Sequence, residues 1–205
     1  DRETSTATNW SSSTTNALNS FIRIDHDFNA NWQLSASYIY GNNDLEYDVF
    51  WATGHPDAHT NIGMTPGSLN FIDAKRIQRT YEIELTGRFN WLEQSHQIMF
   101  GYNSQEQNFA TPYFPGQEDA EIIGDFTAPN YDYAKPTWQT TAAYGSYGTT
   151  EQNALYFASQ LNLTNSFSLI LGSRLNQWQT NQDNFGREHD YELDNELTNY
   201  LGATY

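Results

Sequence analysis

Apolar and polar residues alternate along the chain in segments of about ten residues, and the segments come in pairs joined by short turns. The turns lie at residues 29–31, 90–95 and 164–166. Long polar stretches at residues 43–74, 108–150 and 180–196 separate one pair from the next. Short turns at one end and long loops at the other are typical of transmembrane β-barrels, so this order predicts short periplasmic turns and long external loops.

The segment at residues 77–89 shows the alternation most clearly. Ile83 and Leu85 share one phase with most of the apolar residues, whereas Glu82 and Glu84 share the other phase with polar residues. A period of two residues indicates a strand with one apolar face rather than a helix. The same pattern flanks each short turn, although Phe21 and Ile39 fall in the polar phase, and residues 197–205 have the pattern of a further strand.

We therefore predict an all-β, antiparallel, up-and-down transmembrane barrel segment of about seven strands. The composition is compatible with it: the 205 residues are 38% hydrophobic, mean hydropathy is -0.73, and no apolar run is long enough for a transmembrane helix. Only alternate strand residues of a barrel face lipid, which explains the low mean hydropathy. Aromatic residues such as Trp32, Trp91 and Trp178 lie near segment ends, where we expect an interfacial girdle.

The charge of the chain excludes one class of partner. There are 25 acidic and 9 basic residues, giving a net charge of -16, and nucleic-acid binding needs the opposite sign. The acidic residues concentrate in the long polar stretches. They are interpreted either as a solvated loop surface or as a negative vestibule that attracts cationic solutes.

No resident metal, cofactor or catalytic group is predicted. The chain has no cysteine, and His55, Asp57 and His59 lack a fourth ligand for a metal site. The acidic residues at 183–196 lack the spacing of a calcium-binding EF-hand loop. No G-x-S-x-G motif is present, and nothing in the sequence places a nucleophile beside a base, so we do not expect an enzyme.

Three segments carry a more specific resemblance. Residues 151–174 contain a tyrosine-bearing strand, a Leu-Thr-Asn turn and a Leu-Ile-x-Gly-x-Arg strand; residues 28–34 read Phe-Asn-x-x-Trp-x-Leu; and residues 99–102 read Met-Phe-Gly-Tyr. In this order they resemble the barrel of TonB-dependent ferric-siderophore receptors of the bacterial outer membrane.

The resemblance implies a barrel of about 22 strands whose lumen is closed by an N-terminal plug domain. Residues 1–205 would then be a single barrel segment, internal to a longer receptor, and the plug and the remaining strands would lie outside it. It also implies a ferric siderophore as ligand, with the iron already chelated, outer-membrane lipid around the barrel, and energy from the TonB complex acting through the missing N-terminal region.

Loops on a rigid scaffold often hold binding residues, and aromatic faces with hydroxyl groups suit a bulky, partly apolar ligand rich in oxygen. The second long stretch is the richest in such residues, and Tyr47, Phe50 and Trp51 of the first are weaker candidates. The predicted ligand-contacting residues of the second stretch are Tyr113, Phe114, Tyr131, Tyr133, Trp138, Tyr144 and Tyr147.

Two alternative classes share parts of this pattern. A general porin would have the same barrel wall and aromatic girdle but shorter loops, one of them folded inward. A soluble, acidic β-sandwich that binds carbohydrate would have two packed sheets and would need no detergent.

Overall fold

The computed structural model describes residues 8–116, 125 and 134–205. Seven antiparallel strands form one sheet in which each strand pairs with its neighbours in the chain, which confirms the predicted up-and-down topology. No helix among these residues is long and apolar enough to cross a membrane. The strands are β1 (Ser12–Asn29), β2 (Trp32–Thr53), β3 (Thr65–Trp91), β4 (Gln94–Pro115), β5 (Tyr144–Asn162), β6 (Ser168–Asn184) and β7 (Glu188–Thr204).

The register of the strands separates an apolar face from a polar face. One row of directly paired residues crosses all seven strands and contains Ile24, Ala36, Ile83, Tyr102, Leu155, Leu175 and Leu197. The row one residue away contains Arg23, Ser37, Glu82, Asn103, Ala154, Asn176 and Glu196. Because successive side chains point to opposite sides of a strand, these rows lie on opposite faces, here called the outer and inner faces.

The outer face exposes large apolar side chains, and the described residues contain no second layer to cover them. Leu155 is 58% exposed and Leu197 is 59% exposed. Within the described part of the chain only Val49, Leu69, Ile72 and Ala154 are buried hydrophobic residues. A β-sandwich buries the apolar faces of two sheets against each other, so a single sheet with this face open contradicts that alternative and fits contact with lipid.

Tyrosine rings lie flat over glycines on the inner face. A Cβ atom at Gly101 would lie 2.0 Å from the Tyr156 ring, and one at Gly172 would lie 1.9 Å from the ring of Tyr200. The hydroxyl of Tyr156 lies 2.9 Å from Glu82 Oε1, and the Arg174 guanidinium lies 5.8 Å from the centre of the Tyr156 ring. These contacts make a polar and closely packed inner wall.

The three short turns lie where the sequence predicts them. Two of them are minimal: residues 30–31 join β1 to β2, and residues 92–93 join β3 to β4. Leu92 and Glu93 have positive φ angles of 51° and 62°, the conformation that a two-residue hairpin turn of type I′ requires. Positive φ angles are unfavourable for residues that have a Cβ atom, so the turn retains local strain.

We expect the double substitution Leu92→Asn and Glu93→Gly to stabilise the hairpin by roughly 1–2 kcal/mol, because Asn and Gly adopt positive φ more readily. Urea unfolding of the refolded receptor in detergent micelles measures the change. Substituting Ala30 by Gly in the β1–β2 turn, where no positive φ is found, serves as the comparison and is expected to give no such gain. Equal gains from the two changes would contradict the assignment of strain to residues 92–93.

Two adjacent turns are tied together through His96, whose side chain is fully buried. Its Nε2 lies 2.8 Å from the carbonyl oxygen of Trp91, and its Nδ1 accepts a hydrogen bond from the backbone N–H of Asn162 at 3.2 Å. The two bonds together require the tautomer with its proton on Nε2. The ring also contacts Phe89, with ring centres 5.1 Å apart. The histidine therefore links the end of β5 to the β3–β4 turn.

The external end of the sheet differs from the prediction of three long loops. Strands β2 and β3 contain 22 and 27 residues, and β2–β3 and β6–β7 leave only residues 54–64 and 185–187 outside the strands. In the β2 extension the alternation continues with its phase reversed, because Asp44, Glu46 and Asp48 point to the outer face whereas Leu45, Tyr47 and Val49 point to the inner face. Between β4 and β5 the described residues of the connection are Gly116, Asp125 and 134–143.

The register also corrects two interpretations of side-chain position. Most acidic residues of the first and third polar stretches share the outer face, so they do not line a negative vestibule. Trp178 pairs with Gln152 on the inner face, so it is not part of an outer girdle, and its ring lies 5.2 Å from that of Tyr191. The outward acidic residues are Asp44, Glu46, Asp48, Asp73, Asp183, Glu188, Asp190 and Glu192.

Candidate functional site

A row of large side chains crosses four strands on the inner face at the external end of the sheet. Tyr47 of β2 pairs with Ile72 of β3, Ile72 with Tyr113 of β4, and Tyr113 with Tyr144 of β5. Each is a direct cross-strand partner, so the sheet itself fixes the spacing of the row. We call these four residues, together with Phe185, the rim row.

Phe185 extends the row beyond β5. The rings of Tyr113 and Tyr144 are stacked, with centres 5.2 Å apart and an angle of 28° between their planes. The Phe185 ring lies 5.5 Å from Tyr113 and 5.9 Å from Tyr144. Its backbone N–H donates to the carbonyl oxygen of Gly145 at 2.8 Å, which holds the β6–β7 turn against β5. The three rings therefore form one cluster from β4, β5 and the β6–β7 turn.

The cluster is anchored to a buried polar residue, and its rings are exposed to solvent. The Tyr144 hydroxyl donates to Asn70 Oδ1 at 2.7 Å, and Asn70 is only 4% exposed. In contrast, Tyr144 is 42% exposed and Phe185 is 55% exposed. The rim row contains no charged side chain. Flat exposed rings with fixed orientation suit a planar, partly apolar ligand, and the hydroxyl groups add hydrogen-bonding capacity.

Among the described residues, the structure brings together two of the predicted ligand-contacting residues and separates Phe114, Tyr147 and Trp138 from them. Tyr113 and Tyr144 meet in the rim row, whereas Phe114 and Tyr147 point to the outer face, where Phe114 contacts Phe71. Trp51 lies on the inner phase of β2, farther out than Tyr47, and is 52% exposed.

Trp138 donates its indole N–H to Asp48 Oδ1 at 3.1 Å, on the other side of the sheet from the rim row. Tyr131 and Tyr133 lie outside the described residues. Whether any of these predicted residues contacts ligand stays a prediction.

Sequence reasoning missed Phe185 and Asn70. Phe185 lies within the acidic stretch at residues 180–196, which is predicted from the sequence to be a loop. The Asn-Phe-Gly-Arg sequence at residues 184–187 is nevertheless the type of polar, glycine-containing segment that forms a tight turn. Asn70 carries no signal of its own, because its role depends on a tyrosine that follows it by 74 positions.

The first external loop is organised by Asp57. Its Oδ1 accepts hydrogen bonds from the backbone N–H groups of His59 and Thr60, each at 2.9 Å, and from the Thr60 hydroxyl at 3.1 Å. These donors hold the pKa of the Asp57 carboxyl below its ordinary value, with the His59 N–H as the largest cause. The described residues contain no group of three or more His, Cys, Asp or Glu side chains arranged for a metal ion.

The whole of the chain, residues 1–205, matches the family model described as the TonB dependent receptor-like β-barrel. The chain belongs to this family. TonB-dependent receptors are proteins of the bacterial outer membrane, which agrees with an exposed apolar outer face. The family consists of receptors and transporters, which agrees with the absence of a catalytic motif in the sequence.

Two relatives with assigned roles are ferric-pyoverdine receptors. PbuA of a Pseudomonas strain is 24% identical to the chain, in a match that covers 89% of the chain and 22% of PbuA. The ferric-pyoverdine 358 receptor of Pseudomonas putida is 25% identical, with 87% and 22% covered. The chain thus spans less than a quarter of the length of these relatives.

Solved structures of siderophore receptors share the fold. The ferripyoverdine receptor of Pseudomonas aeruginosa, bound to ferripyoverdine, superposes with a TM-score of 0.80 at 20% identity, covering 96% of this chain and 25% of that one. The ferric-catecholate import receptor Fiu of E. coli gives a TM-score of 0.66 at 17% identity, with 96% and 33% covered. At these identities the likeness concerns the fold.

Proposed function

We propose that this chain forms part of the barrel wall of an outer-membrane receptor for TonB-dependent uptake of ferric siderophores, and that its rim row contacts the ligand. The observation that carries the proposal is the stacked cluster of Tyr113, Tyr144 and Phe185 on the inner face at the external end. A ligand that enters the lumen from outside passes this surface first. Iron arrives as the siderophore complex, so the proposal assigns no metal ligand to the protein.

Ferric pyoverdine is the siderophore class that the relatives favour. The named roles of the two Pseudomonas relatives and the ligand of the P. aeruginosa structure all belong to this class. The rim row suits such a complex chemically, because an uncharged cluster of aromatic rings and hydroxyl groups stacks on a planar ring system. The plug domain and the contact with the TonB energy complex belong, in this proposal, to parts of the receptor beyond residues 1–205.

A general porin is the remaining alternative. It shares the lipid-facing outer face and the polar inner face, so neither distinguishes the two functions. The match of residues 1–205 to the receptor family favours the receptor. The rim row favours it as well, since a water-filled channel for small polar solutes has no need of stacked exposed rings at its entrance.

The double substitution Tyr113→Ala and Tyr144→Ala in the full-length receptor tests the proposal. We expect the affinity for ferripyoverdine to fall at least tenfold, because two aromatic contacts are worth more than about 1.4 kcal/mol together. Titration of the purified receptor with ferripyoverdine measures the affinity, and iron uptake by cells that depend on the receptor measures transport.

Tyr147→Ala is the matched control. Tyr147 lies on β5 close to Tyr144, is 39% exposed and points to the outer face. Its loss is expected to leave ferripyoverdine binding unchanged. If the double substitution binds as tightly as the unsubstituted receptor, or if Tyr147→Ala weakens binding equally, the rim row is not the ligand surface.

A further inference from the structure

A carboxylate on β2 accepts hydrogen bonds from three residues in two separate parts of the chain. Asp48 accepts hydrogen bonds from the Ser12 hydroxyl at 3.0 Å, from Lys135 Nζ at 2.8 Å and from Trp138 Nε1 at 3.1 Å. Ser12 begins β1, whereas Lys135 and Trp138 belong to the segment that returns toward β5. We call the four residues the Asp48 clasp.

The carboxylate of Asp48 is largely shielded from water, since its side chain is only 12% exposed, whereas the Lys135 side chain is 46% exposed. The ring of Trp10 lies 5.8 Å from that of Trp138 and 6.1 Å from that of Phe50. Lys135 Nζ lies 6.0 Å from the rings of both tryptophans. Such shielding lowers the local dielectric and strengthens the hydrogen bonds to the carboxylate.

Residues 134–143, here called the return segment, connect the clasp to the rim row. The backbone N–H of Gln139 donates to the carbonyl oxygen of Pro115 at 2.9 Å, and that of Ala143 donates to the carbonyl oxygen of Tyr113 at 3.0 Å. Tyr144 follows immediately as the first residue of β5. The position of the Tyr144 ring therefore depends on where the return segment is held.

Strand β2 contributes one residue to the rim row and one to the Asp48 clasp. Tyr47 points to the inner face and belongs to the rim row, while the adjacent Asp48 points to the outer face and holds the return segment. Strand pairing sets the spacing of Tyr47 and Tyr144, with two strands between them, and the bonds to Asp48 add a direct link between β2 and the segment that leads into Tyr144.

We propose that Asp48 is a positioning residue for ligand binding. It anchors the return segment and thereby holds Tyr113 and Tyr144 in their stacked arrangement before the ligand arrives. The inference rests on the proposed function of the rim row. A segment that is already anchored loses little conformational entropy when the ligand binds, so the affinity is higher than for a mobile segment.

Gly116 offers a second way to open the clasp without altering Asp48. A Cβ atom at Gly116 would lie 2.7 Å from Pro136 Cγ and 3.0 Å from Trp138 Cζ3. The return segment therefore lies directly against the backbone of Gly116. A side chain at this position, as in Gly116→Val, must push Pro136 and Trp138 away.

The test compares Asp48→Ala and Gly116→Val with the control Asp44→Ala in the full-length receptor. Asp44 shares the outer face of β2 and pairs with Lys75 at 3.6 Å, but it contacts no residue of the return segment in any described bond. The first readout is the rate of amide hydrogen exchange at Gln139 and Ala143. The second is the affinity and association rate for ferripyoverdine.

Both test variants are expected to speed exchange at the two amides at least tenfold and to weaken ferripyoverdine binding about tenfold, whereas Asp44→Ala changes neither quantity. Asp48→Asn, whose single side-chain oxygen still accepts from Trp138 but whose amide nitrogen cannot accept from Lys135, is expected to restore part of the exchange protection that Asp48→Ala loses.

Unchanged exchange in both test variants would overturn the clasp. Faster exchange with unchanged affinity would overturn the positioning role. If the unsubstituted receptor does not bind ferripyoverdine at all, the proposed function fails and the positioning role fails with it, while the exchange rates still decide whether the clasp holds the return segment.

Discussion

Leu85→Arg is expected to destabilise the full-length receptor by roughly 2–4 kcal/mol, the cost of a cation on the lipid face of a barrel near the bilayer midplane. Leu85 is paired with Leu34 on one side and with Phe100 on the other, and Phe100 pairs with Phe157. These side chains form the row beside the one that crosses all seven strands on the outer face. An arginine at this position must leave its charge in hydrocarbon or distort its neighbours to reach water. Unfolding by denaturant in lipid vesicles measures the loss.

Thr86→Arg supplies the comparison, because Thr86 follows Leu85 directly and points to the inner face. The inner wall is polar, so the same charge at this depth is expected to cost less than about 1 kcal/mol. Similar losses from both substitutions would show that the assignment of the two faces is wrong.

His96→Ala is expected to cost roughly 2–4 kcal/mol of stability. The substitution leaves the carbonyl oxygen of Trp91 and the N–H of Asn162 without their present partner, and each unsatisfied buried group costs about 1–3 kcal/mol. It also removes a ring packed between Phe89 and Trp91 in a site without solvent exposure. Denaturant unfolding with tryptophan fluorescence follows the loss, since Trp91 is one of the contacts.

His26→Ala serves as the reference for a histidine near a turn. His26 lies on the exposed strand β1 and its ring contacts that of Phe28 at 4.9 Å. Its removal is expected to change stability by no more than about 0.5 kcal/mol. A cost for His96→Ala as small as that for His26→Ala would mean that the link between the two turns contributes nothing.

The two histidines illustrate what the sequence did and did not determine. Both lie near turns in the sequence, but only the strand register reveals that His96 meets the end of β5, 66 positions away. Within the bilayer, the strands and their lipid-facing residues could be predicted because contact with lipid on one face imposes an alternation that a short stretch of sequence displays. The apolar residues on both sides of each short turn lie on the outer face, as predicted. At the external end the outer face of a strand meets water, so the polar residues of β2 lie on the outer face and the apolar ones on the inner face, the reverse of the lipid-facing part. A pattern that expects one constant phase therefore does not identify this part of the strand.

The residues of the candidate site could likewise be predicted only in part from the sequence. Tyr113 and Tyr144 were proposed from composition alone, as aromatic residues in a long connection. Their stacking follows from a pairing of β4 with β5 that hydropathy does not encode. Phe185 joins them only because the β6–β7 turn reaches back to Gly145. Phe114, one residue from Tyr113, points the opposite way, a difference that follows at once when the segment is a strand rather than a loop.

The length of the strands has a consequence for the receptor as a whole. On β4, Tyr113 lies roughly 35 Å along the strand from Tyr102 of the lipid-facing row, or roughly 27 Å in height at a tilt of about 40°. Half of the hydrocarbon core is only about 15 Å thick. The proposed ligand surface and the lipid-facing rows thus lie at different levels of the same strands. Substitution of the exposed rings at the upper level is therefore expected to change ligand binding without placing a polar group in lipid.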